Sequence, residues 1–267
     1  MPFANIRGHR LYYEVSGEGE TVILLHGSFA DADILEAPAT GLSSGFRALH
    51  FDRRGHGRSA DFTEPLSLSE EAADVAALAD WFSAERVHIV SHDDGAEIAI
   101  QFALEHPERT LSLALIAPTV EGYPWSAEAA ALRKDLRVSF RMNPKKAIEE
   151  KWLSTPAFGK LKEREEVYER VADVYRRARV AGGSLPRPPH GEPLQFGRLE
   201  GIQIPAAVLI GGSDDPERVE CASAIANLIP GCGWLDFPAS GRFPHIEESR
   251  PLMRKLMDFY LPEEAER

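Results

Sequence analysis

The run Val90-Ser91-His92-Asp93-Asp94-Gly95 places a carboxylate where a tight turn would present it. The apolar stretch Val87-His88-Ile89-Val90 leads into that turn, and a helical pattern over residues 95–106 leads out of it. This is the strand–turn–helix setting of a nucleophile elbow, whose usual pattern is Gly-x-Ser-x-Gly. Here Asp93 stands at the serine position and Ser91 at the leading glycine, while Ser91, Gly95 and Ala96 are small enough for the close approach such a turn demands. A carboxylate projected into a cleft can attack carbon and form an ester, or it can hold charge and move protons.

The neighbours of Asp93 modify that chemistry. The backbone N–H of the residue after the nucleophile, Asp94 here, normally shares an oxyanion hole with an N–H after His26-Gly27, which is that of Ser28. The Asp94 side chain either lines the pocket or is solvated or paired with a residue above it. A second inward carboxylate disfavours a developing anion. Asp214, three residues after Gly211 at a strand end, is the candidate orienting acid, with Asp215 as its neighbouring alternative.

Strand-like runs alternate with helical ones, as in a mainly parallel sheet covered on both faces. The strand runs are residues 10–15 (alternating with period two, a leading antiparallel strand), 21–25, 48–51, 87–90, 113–117, 206–210 and 234–237. Helices are expected over 69–83, with Ser69 as N-cap, and over 95–106, 217–228 and 251–261. Between Pro118 and about Arg198 no strand run appears, and three helices are expected over 127–141, 145–153 and 162–181. A linker containing Gly182-Gly183-Ser184 and Pro186-Arg187-Pro188-Pro189 follows. An insertion of this length reads as a cap over a site. The expected organisation is an α/β core of residues 1–118 and 199–267 with a helical cap over 119–198.

With these elements in place, the chain resembles the α/β-hydrolase fold over essentially its whole length. Leu24-Leu25-His26-Gly27-Ser28 is similar to the His-Gly oxyanion loop. Phe51-Asp52-Arg53-Arg54-Gly55-His56-Gly57-Arg58-Ser59 is similar to the Asp-x-x-Gly-x-Gly-x-Ser loop. His106-Pro107-Glu108-Arg109 resembles the usual end of the elbow helix, and Ile210-Gly211-Gly212-Ser213-Asp214-Asp215-Pro216 resembles the acid loop. Ser240-Gly241-Arg242-Phe243-Pro244-His245-Ile246-Glu247 resembles the catalytic-histidine loop. An aspartate at the elbow resembles dehalogenases and epoxide hydrolases, although their usual Trp or Arg beside the nucleophile is Asp94 here.

The resemblance breaks at Arg242, which stands where the fold carries its general base. Arginine stays protonated and cannot take a proton from water. His245 matches an accessory histidine three places on, and serves as base only if this loop is rebuilt; otherwise it is structural. Arg242 either bridges Asp93 and Asp214 with its planar fork, or points away and leaves Asp93 and Asp94 to raise one another's pKa. His26 and His56 belong to loop motifs, His92 packs beside the elbow, and His190 sits in the Pro-rich return. Phe29, Tyr123 and Trp125 are candidates to line the pocket.

Three readings follow. One is a hydrolase of an epoxide, alkyl halide or ester-like substrate through Asp93. A second is a non-hydrolytic lyase, cyclase, isomerase or decarboxylase using Asp93, Asp94 and Arg242. The third is an inactive small-molecule binding protein. An ordinary serine esterase is disfavoured, because Ser91 lies two places from the elbow tip.

Composition narrows the partners by exclusion, leaving the small-molecule substrate that the resemblance implies. With 267 residues the chain can bury a large core, and a formal charge of −12 argues against nucleic acid and anionic membranes. Cys221 and Cys232 are too far apart for a CxxC pair and have no zinc-type companions, so no metal or organic cofactor is expected. The N-terminus lacks a signal-type apolar stretch, and no run has the roughly 18 apolar residues of a membrane span. The expectation is a soluble cytoplasmic protein, with a homodimer left open.

Overall fold

The computed structural model describes residues 2–59, 66–179 and 194–261. Eight strands form one sheet: β1 (Phe3–Ile6), β2 (His9–Ser16), β3 (Thr21–Leu25), β4 (Arg47–Phe51), β5 (Val87–His92), β6 (Thr110–Ile116), β7 (Ala206–Gly211) and β8 (Gly233–Phe237). Their spatial order is β1-β2-β4-β3-β5-β6-β7-β8. The first two strands run antiparallel and the remainder parallel. Strand β1 has no counterpart among the expected runs, because Phe3-Ala4-Asn5-Ile6 is too short to show a period and becomes a strand by pairing with β2.

The helices are α1 (Glu36–Leu42), α2 (Leu68–Trp81), α3 (Gly95–Glu105), α4 (Ala127–Met142), α5 (Pro144–Glu150), α6 (Glu165–Arg177), α7 (Pro216–Leu228), α8 (Pro244–Glu247) and α9 (Ser249–Tyr260). Successive strand side chains alternate between faces. Ile23 and Leu25 therefore pack with Leu68, Val75, Ile98 and Ile225 from α2, α3 and α7. Val22 and Leu24 pack on the opposite side with Leu42, Leu252 and Leu256 from α1 and α9. Phe140, Trp152, Phe158 and Tyr175 extend that second cluster into the insertion.

The N-cap of α2 is Ser67, which corrects the expectation of Ser69. Ser67 forms a reciprocal capping box with Glu70, two residues upstream of the apolar stripe used to start the helix. In the insertion, the expected helix over 145–153 ends at Glu150 and continues as short 3₁₀ turns over Trp152–Ser154 and Pro156–Phe158. The linker of 182–189 and His190 lie outside the described residues.

The topology positions the site. Strand β3 lies between β4 and β5, so the chain leaves β3 toward one side and later returns on the other. Ligand crevices form at the carboxyl ends of strands where the order switches in this way. Leu25 pairs with Ser91, which brings the Gly27-Ser28 turn and the Asp93-Asp94 turn side by side.

Candidate active site

Asp93 sits at the tip of the β5–α3 turn with φ +55°, the left-handed region that non-glycine residues rarely occupy. That strained tip is the elbow conformation. Gly95 is obligatory beside it, since a Cβ there would lie 2.6 Å from the Leu25 carbonyl oxygen and 2.8 Å from that of His26. Asp93 is buried, yet it lines a cavity of about 390 Å³ beneath the insertion.

Two guanidiniums hold Asp93. Arg218 Nη1 lies 2.8 Å from Oδ1, and Arg242 Nη1 lies 3.8 Å from Oδ2. Arg242 also donates from Nε to both oxygens of Asp214, at 2.7 and 3.0 Å. It thus spans Asp93 and Asp214 in the place where the fold would hold an imidazole. Burial alone would raise the Asp93 pKa, but Arg218 and then Arg242 outweigh it and hold the carboxyl at about 2. Asp93 is an anion at every physiological pH. Burial lowers the Arg242 pKa, but the charges of Asp214 and Asp93 overcome that and keep the group firmly protonated.

The Arg242 loop is built to aim this side chain. Glu247 Oε1 accepts from the backbone N–H groups of Gly241 and Phe243, at 3.0 and 3.2 Å, clamping the residues on either side of Arg242. Arg218 comes from the first turn of α7, whose N-terminus is capped by Asp215. The sequence reading missed Arg218. Its signal was register: Arg218 shares a helical face with the buried Cys221, Ala222 and Ile225.

Asp94 faces the cavity, and its carboxylate is turned onto the oxyanion loop. Its Oδ1 accepts from the Ser28 N–H at 2.6 Å, and its Oδ2 accepts from the Ser28 hydroxyl. This corrects the picture of Ser28 N–H as a free donor for a substrate oxygen, since the chain's own carboxylate already occupies it. One helical turn on, Glu97 also lines the cavity and accepts from Thr119 Oγ1 at 2.7 Å. Burial pushes the Glu97 pKa up, against the opposing charge of Arg133. Glu97 was likewise missed, although its spacing of three and four from Asp94 and Asp93 placed it on their helix face.

His245 does not reach the cavity. It is fully buried behind the elbow, with its ring 4.5 Å from that of His92 and 6.2 Å from that of Phe243, and burial holds its pKa well below the usual range. The reason is local: α8 starts at Pro244 and turns the following side chain inward. Of the two alternatives for His245, the base of a rebuilt loop is corrected accordingly, and its position is that of the structural alternative. His92 packs against it, and its Nε2 lies 3.1 Å from the Arg242 carbonyl oxygen. His26 and His56 are fully buried under the oxyanion loop.

Phe29, Tyr123 and Trp125 line the cavity, joined by Arg133, Leu136 and Arg137 from α4 and by Trp152. Phe29 stacks on Phe140 of the insertion at 3.7 Å between centroids. Among the described residues no group of three or more His, Cys, Asp or Glu could hold a metal ion. Among them, no helix is long and apolar enough to cross a membrane.

Comparison with known proteins agrees with this architecture. A putative carbamate hydrolase RutD from Variovorax paradoxus is 27% identical over 258 residues, covering 93% of this chain and 95% of that protein. The acetyltransferase component of the acetoin cleaving system from Cupriavidus necator is 32% identical over 142 residues, 51% of this chain. This chain spans 38% of that component's length, and 44% of another putative carbamate hydrolase RutD, from Azorhizobium caulinodans. The enol-lactonase of Burkholderia xenovorans LB400 superposes with a TM-score of 0.82 over 97% of this chain and 99% of its own, at 21% identity. A thermophilic esterase from Thermogutta terrifontis gives 0.81 over 97% and 96%, at 22% identity. These two likenesses concern the fold alone. The model of the alpha/beta hydrolase family matches residues 22–254, and the chain therefore belongs to that family.

Proposed function

We propose that this enzyme acts on a small organic molecule in the capped cavity without forming a covalent intermediate, and that it cleaves an ester-like bond (ester, lactone or carbamate) by direct attack of water. The observation that carries the reading is the double arginine hold on Asp93, with no imidazole among the described residues that line the cavity. A carboxylate gripped by two guanidiniums is a weak nucleophile, which disfavours an ester formed on it. Asp93 instead serves as the fixed anion that keeps Arg218 and Arg242 in place. Those cations are suited to polarising a carbonyl oxygen. Of the other carboxylates lining the cavity, Asp94 and Glu97 follow Asp93 on the elbow and are placed to take a proton from water, and the raised pKa of Glu97 suits a base working nearer neutrality. Names of relatives supply the bond class, one match over nearly the full length being to a putative carbamate hydrolase.

A second reading, non-hydrolytic proton transfer as in a lyase, isomerase or decarboxylase, is favoured by one observation. Ser28 N–H, the usual oxyanion donor, is taken by Asp94.

Turnover in oxygen-18 water separates these routes. Label in the product and none in Asp93 supports direct hydrolysis. Label in Asp93 would restore the covalent route and overturn the proposal. Product without solvent oxygen selects the second reading.

A further inference from the structure

Four guanidiniums, those of Arg133, Arg137, Arg218 and Arg242, line the cavity. Arg133 and Arg137 project from adjacent turns of α4, and both line the cavity. The Arg133 guanidinium lies 4.4 Å from the Trp125 ring centroid, and that of Arg218 lies 5.8 Å from the same ring. Both guanidiniums thus approach one indole, a placement that cation–π attraction supports, and the charge of Arg133 acts on Arg218. Like charges gathered this way raise one another's energy unless an anion joins them. Carboxylates line the cavity as well (Asp93, Asp94, Glu97, Glu121 and Asp215), but Asp94 is turned onto Ser28 and Asp215 caps α7. Asp93 is shared between Arg218 and Arg242, and Glu97 approaches Arg133 only to 3.8 Å. Arg218 adds an independent sign: its Nε is buried with no hydrogen-bond partner among the described residues. An orphaned donor on a residue lining a cavity points to an acceptor that arrives with a ligand.

We infer that the substrate carries a carboxylate, or an anion of like shape, bound against Trp125 between Arg133 and Arg218, with Arg137 drawing it in from the rim. The planar fork of arginine matches a carboxylate's two oxygens. Binding there leaves the rest of the ligand over Asp94 and Glu97, where the chemistry proposed above takes place. The inference rests on that reading for the site's identity, but not for its reaction.

The test is ligand-observed NMR and calorimetry with small aliphatic and aryl carboxylates, each run beside its neutral amide, on the full chain. The expected result is binding of acids of suitable shape with their amides about ten-fold weaker or worse. In Arg133→Gln, and in the double variant with Arg137→Gln, the acid should lose about ten-fold and converge on its amide. Arg141→Gln, exposed on the same helix and outside the cavity, is the control for surface charge. Retained circular dichroism and a retained neutral-amide affinity show that the variants fold. Equal binding of acid and amide, absence of binding by every acid, or indifference to both arginine substitutions would overturn the inference. The oxygen-18 result is read separately. Label in Asp93 with a carboxylate preference intact removes only the proposed reaction.

Discussion

Arg218 Nη1 and Asp93 Oδ1 meet at 2.8 Å with both side chains buried, so the elbow tip is one half of an ion pair and not a free carboxylate. Removing one partner of such a pair strands the other charge, whereas replacing both with neutral groups of similar size is nearly neutral. Arg218→Met is therefore expected to destabilise the fold by about 3–5 kcal/mol. The double variant with Asp93→Asn should recover most of that loss. Urea unfolding of the two singles and the double, read as a cycle, checks it. A double as unstable as Arg218→Met alone would contradict the pairing.

The acid limb of stability should carry the Asp93 signature. Its folded pKa of about 2 lies below the ordinary 3.8. The unfolded chain therefore binds this proton first as pH falls. The contribution is fully present above about pH 4 and is lost as pH drops toward 2. Asp93→Asn should flatten that segment by on the order of 2 kcal/mol. Burial holds the His92 pKa at about 4 against the ordinary 6.5, so its loss falls in the window above, between about 6.5 and 4, and should persist in the variant.

Glu97→Gln should lower kcat by about 10²-fold or more if Glu97 is the base. In the parent enzyme, activity should fall on acidification through a pKa above the 4.5 of a free glutamate, because burial raises it. The variant should lose that limb while keeping KM within a few-fold. A variant with full kcat shifts the role to Asp94.

Rebuilding a serine triad tests the corrected oxyanion loop. Asp93→Ser with Arg242→His supplies nucleophile and base beside Asp214, yet Asp94 still fills the Ser28 N–H. Hydrolysis of p-nitrophenyl acetate should remain near background in that double variant and rise at least ten-fold when Asp94→Ala is added. Equal rates with and without Asp94 would show that the carboxylate does not block the hole.

The fold was legible because its markers are local. The turn residues at 26–28, 52–59 and 93–96 and the apolar runs before them need only neighbouring residues to act. The Arg242 substitution was equally plain, and one of the two geometries expected for it, the bridge from Asp93 to Asp214, is the one observed. What escaped were consequences of long-range packing. Nothing local marks Arg218 as buried; α7 packs against β7, and Arg218 Nη1 also donates to the Ala117 carbonyl at 3.3 Å. The direction of the Asp94 carboxylate depended on how closely two turns from different strands approach. Glu247, which clamps the Arg242 loop, looked like an ordinary acidic residue of a short helix.

The split of charges along the chain bears on how the molecule is made. Asp93 and Asp94 belong to the portion before the insertion, whereas Arg218 and Arg242 come after it. A nascent chain thus carries Asp93 without either of its guanidinium partners until residues 218 and 242 have been made, whereas Ser28 is already there to engage Asp94. Closing the site and completing the sheet become one late event. Premature collapse of the first strands is opposed by the same anion that the finished cavity depends on.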